Sequence, residues 1–265
     1  MLLNILAIGD IVGQPGRKVL EKKLEGFIKE HNIDFCIANA ENAAGGSGLT
    51  VNIAKKLFSY GVNAITMGDH VWKRKEIYDL LQSEQRILRP LNYSPLAHGR
   101  GYVAIKTKGD CVVGIINLLG RTFMKPIDCP FRAADAAVEE LSKQTNIIVV
   151  DLHAEATSEK IAMGWYLDGR VSAVVGTHTH IQTSDEKILP KGTGYITDLG
   201  MTGPHESILG RNIERVLKSI VTQVPTRYDI AENDLHIEGV VITANKESGK
   251  AEKIKRIRVT ENDNY

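Results

Sequence analysis

Five short apolar runs in this chain each end on side chains that bind cations or carry protons. Asn4–Ile8 runs into Gly9-Asp10. Phe35–Ala38 is followed by Asn39-Ala40-Glu41-Asn42 and then Ala43-Ala44-Gly45-Gly46. Ala64–Met67 leads to Gly68-Asp69-His70, Ile147–Val150 to Asp151-Leu152-His153, and Ala173–Val175 to Gly176-Thr177-His178-Thr179-His180. Mixed imidazole and carboxylate donors suit Fe, Mn or Zn, whereas all-oxygen sets suit Mg or Ca. Asp10, Glu41, Asn42, Asp69, His153, His178 and His180, with His70 beside them, are more than one four-coordinate ion takes. They suit two ions sharing a carboxylate, roughly 3.5–4 Å apart with water or hydroxide between them. Such a pair activates a nucleophile and neutralises charge on a transferring phosphoryl group.

Each fragment alone has a plainer reading. Gly-Asp after a strand is a common turn, Glu41 and Asn42 can cap a following helix, and a lone histidine is more often a hydrogen-bonded core residue. His178-x-His180 is the most specific pair, because in a strand the two rings share one face. In open α/β sheets ligands bind beyond the carboxyl ends of the strands, so donors at successive strand ends carry the metal reading jointly. Asp151 faces the same side of its strand as His153; it either orients an imidazole or, the favoured reading, caps the next element. Trp72 is read as core. His31, His98 and His236 are read as surface residues.

The elements that must position these groups are legible as periodicity. Leu3–Ile8, Asp34–Ala38 and Ala64–Met67 are predicted strands. Between and after them lie helical patterns at Lys18–Glu30, Val51–Tyr60 and Arg74–Gln82. This β-α-β-α-β order predicts a parallel sheet with helices on both faces. Tyr102–Lys106 and Cys111–Asn117, joined by Lys108-Gly109-Asp110, read as a hairpin. Further strands are predicted at Ile147–Asp151, Val171–Val175, Leu235–Ala244 and Ile254–Val259, with short segments at Ile188 and Gly194–Ile196. Helices are predicted at Arg132–Lys143, Glu155–Tyr166 and Asn212–Gln223. Thr260–Tyr265 reads as a frayed tail.

Composition excludes several classes. The 265 residues are 43% hydrophobic and 25% charged, and 33 basic against 32 acidic side chains leave a net charge of +1. That balance argues against stable nucleic-acid binding. No run approaches the ~18–20 apolar residues of a membrane span, and Leu2–Ile8 reads as a strand rather than a secretion signal. Cys36, Cys111 and Cys129 lie far apart, which fits a reducing cytoplasm and excludes a cysteine zinc site.

Longer motifs carry a family resemblance. Gly9-Asp10-Ile11-Val12-Gly13, Ala40-Glu41-Asn42-Ala43-Ala44-Gly45-Gly46, Gly68-Asp69-His70-x-Trp72 and Gly176-Thr177-His178-Thr179-His180 resemble those of the YmdB-like metallophosphoesterases, a branch of the calcineurin-like phosphoesterases. Asp128-Cys129-Pro130-Phe131 and Asp198-Leu199-Gly200-Met201-Thr202-Gly203-Pro204 do so too. The resemblance runs from about residue 3 to 245. It implies a four-layer α/β/β/α fold, one metallophosphoesterase domain over residues 1–265, and a dinuclear iron or manganese centre, with zinc as the further possibility. It also implies a homo-oligomer that hydrolyses 2′,3′-cyclic nucleotides to 3′-nucleotides; the cytoplasmic location is the expectation from cysteine usage. Carried over by position, Asp10, Glu41, Asn42 and His180 hold the first ion. Glu41 bridges to a second held by Asp69, His153 and His178, and His70 is the general acid.

One position departs from the family pattern, which usually has Gly-Asn-His at 68–70. With Asp69, three carboxylates face four positive charges and leave one; an asparagine would leave two. The site is thus expected to attract phosphate less strongly and to acidify water less. Two other readings compete: a broader phosphomonoesterase or protein phosphatase on the same metals, and a regulatory protein whose metal site only senses a nucleotide.

Overall fold

A computed structural model describes residues 1–265. The chain opens with β1 (Leu2–Ile8), the short β2 (Asp10–Ile11) and α1 (Gly13–Glu30). Next come β3 (Phe35–Asn39), α2 (Val51–Ser59), β4 (Ala64–Thr66), a 3-10 turn at Val71–Lys73, α3 (Ile77–Ser83) and β5 (Ile87–Leu88). A second stretch holds β6 (Tyr102–Lys106), β7 (Val112–Leu119), α4 (Pro130–Ser142), β8 (Ile147–His153), α5 (Thr157–Tyr166), β9 (Ala173–Thr177), β10 (Lys187–Ile188) and β11 (Gly194–Ile196). The chain closes with β12 (Met201–Pro204), α6 (Ile213–Thr222), β13 (Leu235–Asn245) and β14 (Ala251–Thr260).

Two sheets result. The first has the order β2-β12-β13-β1-β3-β4-β5, with β14 paired to β13; the second runs β10-β11-β9-β8-β7-β6. β1, β3, β4 and β5 are parallel, as are β7, β8, β9 and β11, so donors at their carboxyl ends emerge on one edge of each sheet. The strands are apolar on both faces because both faces are covered: all seven residues of β8 are buried.

The covering differs from the sequence expectation. Helices lie on one face of each sheet only, and the other two faces pack on each other. Leu3, Ile5 and Phe35 from the first sheet meet Val113, Val149 and Val175 from the second. Val19, Leu20, Leu24 and Phe27 of α1 pack on the first sheet with α2 and α3, while α4 and α5 cover the second. The result is the four-layer α/β/β/α sandwich. Strand patterning cannot distinguish a helix from a second sheet as the covering layer, so the pattern alone points wrongly to a sheet with helices on both faces.

Helix starts follow local chemistry. Thr50 caps α2 by accepting from Ile53 N–H at 3.3 Å, and Asn212 caps α6 by accepting from Arg215 N–H at 3.1 Å. Pro130 occupies the first turn of α4, where its missing N–H costs no hydrogen bond. The tail is not frayed: Thr260 ends β14, Lys23 Nζ donates to the Asp263 carbonyl at 2.5 Å, and the Tyr265 ring meets Phe27 edge-on at 5.4 Å. No helix is long and apolar enough to cross a membrane.

Candidate metal centre

The strand ends deliver the predicted donors to one place, divided by sheet. Asp10 follows β1, Glu41 and Asn42 follow β3, and Asp69 follows β4, so the oxygen donors come from the first sheet. His153 ends β8, and His178 and His180 follow β9, so the nitrogen donors come from the second. Glu41, Asp69, His153 and His178 present donor atoms that all lie within 4.8 Å of one another. The remaining donors gather beside them: His180 Nε2 is 3.2 Å from Asn42 Nδ2 and 3.8 Å from Asp10 Oδ1, and Asn42 Nδ2 is 3.2 Å from Glu41 Oε1. Glu41 therefore stands between the two groups. In this arrangement the Asn42 amide oxygen is 2.8 Å from His70 Nδ1 and not directed at His180.

The backbone explains how short segments reach this geometry. Asn39 Oδ1 accepts from Glu41 N–H at 3.1 Å, turning the chain as β3 ends. Glu41 Oε2 in turn accepts from His70 N–H at 2.9 Å, tying two strand ends together. Gly68 is required: a Cβ there would collide with the His153 ring and the Glu41 carboxylate. His178 and His180 lie beyond β9 rather than in a strand. Their backbones have φ of 104° and 63°, values rare for residues with a side chain, at a cost of about 1–3 kcal/mol each. The two rings reach the site through a left-handed loop, not through strand alternation.

Each imidazole is oriented by an oxygen on its far side. His153 Nδ1 donates to Thr177 Oγ1 at 2.9 Å, and that hydroxyl donates to Asp151 Oδ1 at 2.7 Å. His178 Nε2 is 3.1 Å from Glu155 Oε2, and His180 Nδ1 donates to the Leu209 carbonyl at 3.2 Å. These contacts hold the outward nitrogens protonated and aim the inward ones at the shared space, as the outer partners of metal-binding histidines do. Asp151 thus orients His153 through Thr177 instead of capping the next element. Sequence reasoning missed Thr177 and Glu155; a threonine at the end of a buried strand gives no signal until its neighbours are known.

Two buried carboxylate oxygens, Asp10 Oδ1 and Asp69 Oδ1, have no hydrogen-bond partner. Such groups are costly in an interior unless a cation meets them. Burial pushes the Asp10 carboxyl up to about 8, against the pull of His153. Burial also works against ionised Glu41, yet His153 and then His70 hold it well below the usual carboxylate range. His153 is raised despite burial, chiefly by Glu41 and Asp69, while burial and then the His153 charge lower His178. His153 Nε2 and His178 Nδ1, the inward nitrogens of the two rings, are 3.0 Å apart. Orphaned oxygens, inward lone pairs and mixed donor chemistry all fit a metal pair.

His70 sits at the rim, its side chain 30% exposed. Its Nδ1 is held by Asn42 and lies 3.1 Å from Glu41 Oε1, while Nε2 is 4.0 Å from Asp69 Oδ2. The Glu41 hydrogen bond raises its pKa against the effect of burial. Trp72 is half-buried against Tyr78 and Tyr93. His236 is not on the surface: it is 5% exposed, donates to Asp234 Oδ1 at 2.8 Å and accepts from Arg258 Nε at 2.8 Å.

Sandwich and donor cluster together are those of the metallophosphoesterase class of hydrolases. The similarity of whole chains narrows this further. The chain belongs to the family described as YmdB-like protein, whose model matches residues 6–257. It is 47% identical over 259 residues to the 2′,3′-cyclic-nucleotide 2′-phosphodiesterase of Bacillus subtilis (strain 168), covering 98% of each chain. It is 34% identical to a putative phosphatase/phosphodiesterase of Mycoplasma genitalium, covering 98% of this chain and 94% of that one. Among solved structures, a hypothetical protein from Thermus thermophilus superposes with a TM-score of 0.90 at 40% identity, covering 98% of this chain and 100% of the other. A novel phosphatase from Mycoplasma pneumoniae does so with a TM-score of 0.92 at 31% identity, covering 99% and 95%.

Proposed function

We propose that residues 1–265 act as one domain, a metal-dependent phosphodiesterase that opens 2′,3′-cyclic nucleotides at the 2′ ester and leaves 3′-nucleotides. The observation that carries this reading is the convergence of carboxylates from one sheet and imidazoles from the other around two orphaned carboxylate oxygens. The substrate class is supported by the full-length similarity to the Bacillus subtilis phosphodiesterase.

In this reading Asp10, His180 and Asn42, the last with its amide oxygen turned inward, would hold one ion, Asp69, His153 and His178 would hold the other, and Glu41 would serve both. The donor types suit iron or manganese, with zinc also compatible. When bound, the ions would acidify a water held at the site and neutralise charge on the phosphate. The chain's own contribution at the leaving side is His70. In the metal-free protein the Glu41 hydrogen bond raises His70 against its burial, and a protonated imidazole at this rim would offer its Nε2–H to the departing 2′ oxygen. The free thiols Cys36, Cys111 and Cys129 fit the reducing cytoplasm proposed for it.

The test is metal analysis of anaerobically purified protein together with turnover of 2′,3′-cyclic AMP and of a phosphomonoester. Two equivalents of metal and faster turnover of the cyclic nucleotide are expected. Faster turnover of the monoester, or of phosphopeptides, would shift the reading to a phosphatase. Metal without turnover of either would make it a sensor.

A further inference from the structure

A buried ion pair stands directly behind the loop that carries His178 and His180. Lys160, on α5, is 1% exposed, and its Nζ donates to Asp198 Oδ2 at 2.7 Å; Asp198 is itself fully buried. Lysine is almost never this deep unless paired. A buried pair of this kind is weak evidence for stability, since apolar residues of similar volume often do as well. Its other contacts are therefore the informative ones.

The oxygen that takes the lysine also accepts from Thr179 N–H at 3.1 Å and from Thr179 Oγ1–H at 2.7 Å. The other oxygen, Oδ1, accepts from Gly200 N–H at 2.9 Å. Three donors thus converge on Asp198 Oδ2, and two of them belong to the residue between the two histidines. Both flanking residues have positive φ, and L-residues keep such backbones only where the surroundings over-determine them. Gly176 lets β9 approach the Thr197 backbone and Lys160 closely: a Cβ there would collide with the Thr197 carbonyl and lie 2.9 Å from Lys160 Cδ.

We propose that Lys160 and Asp198 are positioning residues. Through Thr179 they hold the His178–His180 loop in the left-handed form that turns both imidazoles toward the donor cluster. The ion pair is a clamp on one peptide: Lys160 fixes Asp198 from α5, and Asp198 fixes Thr179 from the segment before β12. The consequence for cation binding rests on the metal-centre reading above; the clamp itself does not.

The discriminating pair is Thr179→Val, which keeps shape and backbone N–H but deletes the hydroxyl bond, and Thr179→Ser, which keeps the hydroxyl. Full-length protein, stripped with chelator, is titrated calorimetrically with Mn(II). The imidazole nitrogens of the metal-free protein are followed by 15N NMR, and thermal melting is recorded alongside. Thr179→Val is expected to weaken Mn(II) binding by about 10–100-fold and to split or broaden the His178 and His180 ring signals. Thr179→Ser is expected to match the native protein in both and in melting temperature, whereas Thr179→Val should melt a few degrees lower, about 2–4 °C per kcal/mol lost. Unchanged ring signals in Thr179→Val, or equal loss in Thr179→Ser, would overturn the clamp. Native protein that takes up no Mn(II) would overturn the metal reading instead, and the ring signals would still decide on the clamp.

Discussion

Thr177 links His153 to Asp151 with a single hydroxyl, which lies 2.9 Å from the imidazole Nδ1 and 2.7 Å from the carboxylate Oδ1. The hydroxyl has one proton. It gives that proton to the carboxylate, so the histidine must donate to it and present Nε2 inward. Thr177→Val keeps the shape and removes this relay. A 10–100-fold loss of metal affinity is expected, at roughly the scale of other such outer partners, with destabilisation of about 1–3 kcal/mol from the partners left unpaired in the interior. Calorimetric Mn(II) titration and urea unfolding measure the two effects, and native-like affinity would show that His153 needs no such partner.

Cation uptake is expected to expel protons. At neutral pH Asp10, pushed up to about 8 by burial, holds a proton, and so does His153, raised chiefly by Glu41 and Asp69 against its burial. Glu41 is already ionised, and burial keeps His178 and His180 neutral. Mn(II) binding at pH 7 should therefore release about two protons, fewer at pH 9, with affinity rising between. Titration heats measured in buffers of different ionisation enthalpy give the count; heats independent of buffer would contradict it.

The same shifts fix the sign of the metal-free protein's stability profile. Asp10 binds its proton more tightly folded than at its unfolded value of 3.8, so its contribution is greatest below about 4 and is lost as pH rises toward 8. His153, also raised, contributes below its unfolded value of 6.5 and loses that contribution as pH rises through its folded value. Below 6.5 the lowered His178 and His180 work in the opposite sense, so chelated protein should melt at lower temperature as pH climbs from about 6.5 to 8, and saturating Mn(II) should abolish this slope. A flat profile without metal would contradict the protonation of these groups.

His70→Ala is expected to slow 2′,3′-cyclic nucleotide turnover by about 10²–10⁴-fold. A nitrophenyl phosphodiester, whose leaving group departs without a proton, should be slowed far less. Steady-state rates on both substrates decide; equal losses would assign His70 to holding Asn42 and Glu41, its neighbours at 2.8 and 3.1 Å, instead of to proton transfer.

Asp69→Asn removes one negative charge next to His153 and His178, whose inward nitrogens lie 3.5 and 3.8 Å from Oδ1. The variant should bind phosphate more strongly and turn over faster. Its pH optimum should fall by an amount on the order of one unit, a change equivalent to about 1.4 kcal/mol. Superimposable pH–rate profiles of the two proteins would show that the carboxylate at 69 is electrostatically neutral in effect.

Much of this was legible in the sequence, for a definite reason. Strands that end in Gly-Asp, Gly-Asp-His or Gly-Thr-His-Thr-His announce both an element and its chemistry, and parallel pairing then sends the ends to one edge. Tyr102–Lys106 and Gly194–Ile196 match their strands to the residue. What stayed hidden depends on distant pairing. β12 is too short for a periodicity, and it exists because Met201 pairs with Asp10 and Gly203 with His236. Lys160 gives no signal in the sequence, because its partner Asp198 lies 38 residues away. His236 reads as surface for the same reason: its partners Asp234 and Arg258 sit beside it in the fold, on a turn and on a neighbouring strand.

The division of donors between the sheets bears on how the protein matures. Of the seven candidate donors, one half of the sandwich brings only oxygens and the other only imidazole nitrogens. The first sheet is completed by β12, β13 and β14, which follow every strand of the second in the chain, so its oxygen donors are not fixed in place until the last strands are made. A cation that draws on both donor sets would enter only once the halves have docked, and would then rivet them together.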